Sequence, residues 1–282
     1  MSGNYYFLVA GLPDISLDEG KNIPSFCDFM AETEEQVSSG DQKLLKLIRL
    51  PFDNSNLITV LEDSGEFDSR GNFSREELTS SLKNSERLPR YMQIFLEAHR
   101  ENHPLFPGLI ARDQLNWLFF DEVTSHSNSF IREWYTFELN LRNLVAGINS
   151  RKGLKHFDEL ATERDRAVSS MVIGRNDVAE QILRSSAPDF GLSSILPCTE
   201  KVLAFSRGTL LDFEKGLDSI RWETLSDLTA FSYFGIEKVL AFAIKLAMVE
   251  RWKALDPETG RERLEKLTEE LRAGITVMDY AL

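Results

Sequence analysis

Cysteine is nearly missing from this chain: Cys27 and Cys198 are the only two in 282 residues. They lie far apart and without metal-ligand spacing, which excludes a disulfide framework and a cysteine zinc site and points to a reducing, cytoplasmic setting. Positive charge is also short. There are 32 Lys and Arg against 45 Asp and Glu, a net charge of −13. A general nucleic-acid binder is excluded on that ground, because phosphate contacts need concentrated positive charge. Long hydrophobic runs are lacking as well. Val239 to Val249 is interrupted by Lys245 and falls well short of the ~20 residues a spanning helix needs. Tyr5 to Leu12 has no basic residue before Lys21 and runs straight into Pro13, so neither a signal peptide nor direct membrane insertion is expected. Glycine never gathers into a phosphate loop, a dinucleotide fingerprint or a nucleophile elbow, and nothing in the chain calls for a cofactor or a catalytic set.

What remains is an ordinary globular mixture, 42% hydrophobic and 27% charged, long enough to bury roughly 75% of its unfolded surface. Disorder is not the expected state. From about residue 86 onward the apolar residues recur at helical spacing. Tyr91, Met92, Phe95 and His99 mark one helix, and Leu115 to Phe120 an interior one. The clearest helix starts after Ser127–Asn128, carries Phe130, Ile131, Trp134, Phe137, Leu141, Leu144, Val145 and Ile148, and stops at Gly153. A further helix is expected through Phe157 to Val172. Shorter ones follow: a helix capped by Asn176 or Asp177, then Thr199 to Arg207, Leu210 to Ser219 and Ile236 to Leu255. A last helix after Asp256–Pro257, with Thr259 and Glu262 as a capping box, uses Leu264, Leu267 and Leu271. The first 85 residues are less regular. Tyr5 to Val9 reads equally as a strand or a helix start, residues 1–42 hold eight acids against one Lys, and Asp63 to Asn72 reads as a surface loop. The fold class is therefore mainly all-α, with minor strand content possible near the N-terminus.

Three constellations suggest chemistry. Glu66 to Glu77 matches a calcium loop at Gly71, Phe73 and Glu77, but Glu66 replaces the usual short Asp and Arg70 sits where an oxygen ligand belongs. Ser74 capping a helix with Glu77 as its reciprocal partner accounts for the same residues. His99 and His103 stand four apart, yet Pro104 follows and no third ligand is spelled nearby. The expected reading is a half-buried His99 with His103 at a helix end, and no metal. The third is a basic cluster against an acidic background, Arg142, Arg151, Lys152 and Lys155 with Arg164 and Arg166. It reads either as a solvated face or as a docking surface for an acidic partner.

Two stretches then carry a family resemblance. Phe137 to Lys152, containing Asn140, Arg142, Asn143 and Arg151, and Phe234 to Lys253, opening Phe234-Gly235-Ile236-Glu237 and closing Glu250-Arg251-Trp252-Lys253, resemble the C subunit of V/A-type rotary ATPases. The opening Tyr5 to Pro13 is similar to a bacterial family encoded beside such ATPases. The resemblance implies a funnel of about three helical subdomains, with boundaries expected near 110 and 195 (1–110, 111–195, 196–282). It implies a central-stalk subunit that couples the rotor shaft to the membrane proteolipid ring without catalysis, peripheral to the membrane through its complex. The partner-interface residues would be Arg142, Asn143, Arg151, Lys152 and Lys155. A freestanding helical adaptor is the alternative, and a helical metal-dependent hydrolase a further one.

Overall fold

The computed structural model describes residues 4–17, 23–153 and 171–254. Among them eleven α-helices form and no strand. The ambiguous opening segment is helical: α1 is the single turn Tyr6–Ala10. Next come α2, Phe26–Gln36, and α3, Ser39–Glu62, whose N-cap serines, Ser25 and Ser38, accept from the backbone N–H groups of Asp28 and Asp41. The α3 helix ends on Asp63 in the left-handed region. The Ser74–Glu77 capping box forms as expected and starts α4, Arg75–Ser81. Then follow α5, Arg90–Arg100, α6, Ala111–Thr124, and α7, Ser129–Gly153. Asn128 Oδ1 accepts from Ile131 N at 3.0 Å and caps α7.

Beyond residue 170 lie α8, Asp177–Arg184, capped by Asn176, and α9, Thr199–Phe205. The last two are α10, Leu210–Leu228, and α11, Ile236–Ala254. The α10 helix runs well past the expected end at Ser219. Its apolar spacing continues through Ile220 and Leu225, and the Asp218 that reads as a polar interruption is interior. The helix expected through Phe157 to Val172 lies outside the described residues up to 170, and at its described end Met171 and Val172 are not helical; the helix expected after 255 lies outside the described residues.

Two hydrophobic cores result. The larger joins α2 to α6, the first half of α7, Leu225 near the end of α10, and α11. The smaller joins Leu141, Leu144 and Ile148 of α7 with α8, Phe190, Val202 of α9 and the first half of α10. Helices α7 and α10 therefore belong to both cores, and this explains why α7 buries Tyr135 and Leu139 as well as its expected stripe. A central helix has no solvated face to spare. Gly147 lets the smaller core close: a Cβ there would meet Phe190 Cζ at 2.8 Å and Ile182 Cγ2 at 2.9 Å. None of the described helices is long and apolar enough to cross a membrane.

The segment after α3 is the expected surface loop, exposed from Asp63 to Glu66, and its later part is tied down onto α3. Asp53, wholly buried on α3, accepts from Asn72 N at 2.7 Å, Asn72 Nδ2 at 2.6 Å and Phe73 N at 3.1 Å. Asn56 brackets Asp68 with two bonds of 2.8 Å, and Arg49 donates to the carbonyls of Arg70 and Gly71. Polar α3 side chains supply hydrogen-bond partners to residues 68–73, so that part of the loop lies against the helix.

Candidate functional site

The charged residues of greatest interest lie at the seam between the two cores. Glu138 comes from α7, Asp218 and Arg221 from α10, and Arg251 and Trp252 from α11. Arg221 sits between two acids, with Nε 2.7 Å from Glu138 Oε1 and Nη1 3.0 Å from Asp218 Oδ1. The other oxygen of Asp218 accepts from Arg251 Nη2 at 2.5 Å and Trp252 Nε1 at 2.7 Å. Glu214 stands 3.7 Å from Arg251 at the outer end. Burial by itself would lower the Arg221 pKa, but Glu138 and Asp218 more than offset it, so the guanidinium is held more firmly charged than usual.

Beside this chain of charges lies a cavity of about 340 Å³, walled by Phe26, Phe52, Trp134 and Met248 and edged by Arg70, Arg221 and Arg251. Arg70 grips Asp68 at 2.7 Å, reaches the Ala247 carbonyl at 3.3 Å and lies 4.4 Å over the Phe52 ring. Burial raises the Asp68 pKa, but hydrogen bonds from Arg70 outweigh it and leave the carboxyl below its usual range. Glu250 accepts from Phe26 N at 2.6 Å and so ties α11 to the first turn of α2. In this set each carboxylate faces a cation or an N–H donor, an arrangement suited to holding helices at fixed spacing. Among the described residues no group of three or more His, Cys, Asp or Glu is placed to hold a metal ion.

The residues singled out from the sequence fall elsewhere. Asn143 is fully buried, donating to Ile173 O at 2.7 Å and accepting from Ile173 N at 3.0 Å, so it is an interior clamp instead of an interface residue. Arg142 is bound to Asp113 at 2.5 Å and to the Met171 carbonyl at 2.9 Å. Arg151 lies 3.6 Å over the Phe190 ring and donates to the Ser185 and Ala187 carbonyls. Arg151 thus ties together elements of the smaller core, and Arg142 ties α7 to α6. The Lys152 side chain, with Lys155, Arg164 and Arg166, lies outside the described residues. In the calcium-like segment Glu77 accepts from the Ser74 N–H at 2.8 Å and Asp68 pairs with Arg70.

His99 is exposed instead of half-buried, with its ring 5.9 Å from that of Phe95. The α5 helix ends at Arg100, and Asn102 turns the chain at φ 51°, so His103 does not continue the helix that carries His99. The seam acids and arginines were missed because each reads as an ordinary surface charge. The one signal available was an acid or Arg recurring inside otherwise apolar helices, as at Asp218.

The class defined by these features is an all-helical, two-core protein whose charges are used between helices. A family model described as "Protein of unknown function (DUF2764)" matches residues 1–275, and the chain belongs to that family. No curated protein and no solved structure matches it.

Proposed function

We propose that this chain is a non-catalytic central-stalk subunit of a V/A-type rotary ATPase, passing rotation between the rotor shaft and the membrane proteolipid ring. It sits at the membrane only through that complex, on its cytoplasmic side. The observation that carries the reading is the seam. Of the two stretches that resemble the C subunit, one is α7 and the other α11. Glu138 of the first and Arg251 of the second are joined by one continuous run of ion pairs through Arg221 and Asp218, to which Trp252 of the second adds a hydrogen bond. Torque transfer requires helices that do not slide, and mutually paired charges centred on the buried Asp218 and joining two close-packed cores meet that requirement. Hydrolysis belongs to other subunits.

Co-expression with the shaft and ring subunits encoded in the same genome tests the proposal. The chain should co-purify with one of them at low salt and, alone, should hydrolyse no ATP. Failure to co-purify with either, or ATPase activity in the isolated chain, overturns it.

A further inference from the structure

Five helices leave a cavity where they meet beside the seam. Phe26 of α2, Phe52 of α3, Trp134 and Tyr135 of α7 and Met248 of α11 wall its space of about 340 Å³, and Arg221 of α10 edges it together with Arg70 and Arg251. The aromatic wall is interior, with Phe26 1% exposed, Tyr135 3% and Trp134 4%. The edge meets solvent: the side chains of Arg70 and Arg221 are 22% exposed and that of Arg251 40%. The recess is thus apolar within and polar at its mouth. Its size falls at the small end of the roughly 300–1,000 Å³ of small-molecule sites, which share this build of apolar walls and a few polar groups. We infer that this cavity binds an uncharged, apolar small molecule carrying one carbonyl-type hydrogen-bond acceptor.

Hydrogen bonding selects the ligand's polar group. The acids at the edge are spent. Both oxygens of Glu138 accept from Arg221, at 2.7 and 3.3 Å, and the two oxygens of Asp218 are taken by Arg221, Arg251 and Trp252. The arginines are not spent. Arg70 uses Nε and Nη2 on Asp68 and Nη1 on the Ala247 carbonyl, and Arg221 uses Nε and Nη2 on Glu138 and Nη1 on Asp218. Each Nη carries a second hydrogen, so donors remain. Trp134 adds another: its indole N–H makes no hydrogen bond among the described residues, although a buried indole ordinarily finds an acceptor. Charge decides the rest. Arg70, Arg221 and Arg251 already face Asp68, Glu138 and Asp218, so a carboxylate or ammonium on the ligand would bring an uncompensated charge into a largely apolar recess. A neutral carbonyl accepts from the spare N–H groups without that cost, while its apolar body covers the aromatic wall.

The test titrates the full chain with prodan, an uncharged naphthalene dye bearing one ketone, and with two twins, one lacking the ketone and one bearing a carboxylate in its place. Fluorescence should show one prodan bound per chain with blue-shifted emission, and each twin should bind about 10-fold more weakly or worse. Trp134→Phe keeps an aromatic ring and removes the N–H, so it should weaken prodan several-fold and leave the ketone-free twin unchanged. Ala247 also lines the cavity, and Ala247→Leu should fill it and weaken all three dyes. Thermal melts by circular dichroism check that both variants fold, and if Ala247→Leu does not, Trp134→Phe decides alone. Equal binding of prodan and its ketone-free twin, no binding of prodan, several dyes per chain, or an affinity indifferent to a folded variant overturns the inference. Tighter binding of the carboxylate twin assigns the cavity to an anion and equally overturns it. None of these results touches co-purification with shaft or ring, on which the stalk reading stands or falls.

Discussion

The Tyr135 hydroxyl donates to the Leu47 carbonyl at 3.3 Å, and Leu47 is the residue whose helical partner Pro51 cannot supply. Pro51 lies inside α3 and has no N–H for the carbonyl four residues earlier. Tyr135, buried on α7, brings the missing donor across the larger core. Burial also pushes its phenol pKa upward, so it remains a donor at any ordinary pH. Tyr135→Phe should therefore cost about 1–2 kcal/mol, the typical cost of a buried acceptor left alone. In a Pro51→Ala background the restored backbone N–H should make the same change nearly neutral. Urea denaturation of the four-member cycle measures the difference, and equal costs in both backgrounds would refute the pairing.

Asp218 should be the least replaceable charge in the chain. It is 1% exposed and holds Arg221, Arg251 and Trp252 at once. Asp218→Ala leaves two guanidinium groups facing one another without their common anion. The expected loss is about 3–5 kcal/mol, as for other broken buried pairs. Because α7 and α10 cross between the cores at this point, hydrogen exchange should rise in α8 to α10 before it rises in α2 to α6. Uniform exchange across both cores would mean the seam does not couple them.

Much of the helical layout was legible because long apolar periodicity needs no tertiary knowledge. Asn128, Ser74 and Asn176 mark helix starts by local chemistry alone. Use of the charged residues was not legible. Arg142 and Arg151 look like a basic face in one dimension, and only the fold brings Asp113, Phe190 and the Ser185 carbonyl to them. The same holds for Asp53, whose partners lie about twenty residues further along the chain. An acid on an apolar helix does not reveal from sequence whether it meets water, an arginine or a loop.

Asp53 should give the fold a defined pH dependence. Burial pushes its carboxyl up from 3.8 to about 6, with the Asn72 side chain, the backbone N–H groups of Phe73 and Asn72, and Arg49 opposing that rise in part. Its pKa in the folded chain thus lies above the unfolded value, so folding takes up a proton between the two. The group's contribution is fully present below about pH 4 and is lost as pH rises through 6. At about 1.4 kcal/mol per unit, the difference amounts to about 3 kcal/mol at most. Relative to Asp53→Asn, the wild-type chain should lose stability between pH 4 and 7 by an amount approaching that figure. Parallel denaturation midpoints for the two proteins across that range would show that Asp53 does not titrate there.

Glycine substitutions separate packing from propensity. Gly147 sits mid-helix in α7, where alanine ordinarily gains about 0.5–1 kcal/mol over glycine by chain entropy. The space is occupied, however: the new methyl would lie 2.8 Å from Phe190 Cζ and 2.9 Å from Ile182 Cγ2, both side chains interior to the smaller core. Phe190 is itself pinned by Arg151 above its ring, so it has little room to yield. Overpacking of this kind costs about 1–3 kcal/mol. Gly147→Ala should therefore lower the melting temperature despite its favourable propensity. Gly40, in the first turn of α3, faces open space with Ser38 Oγ 3.8 Å away, and Gly40→Ala should raise it slightly. Thermal melts of the two variants side by side decide the matter. If Gly147→Ala stabilised the chain as Gly40→Ala does, α7 would not be packed against Phe190 and Ile182 as closely as their positions require.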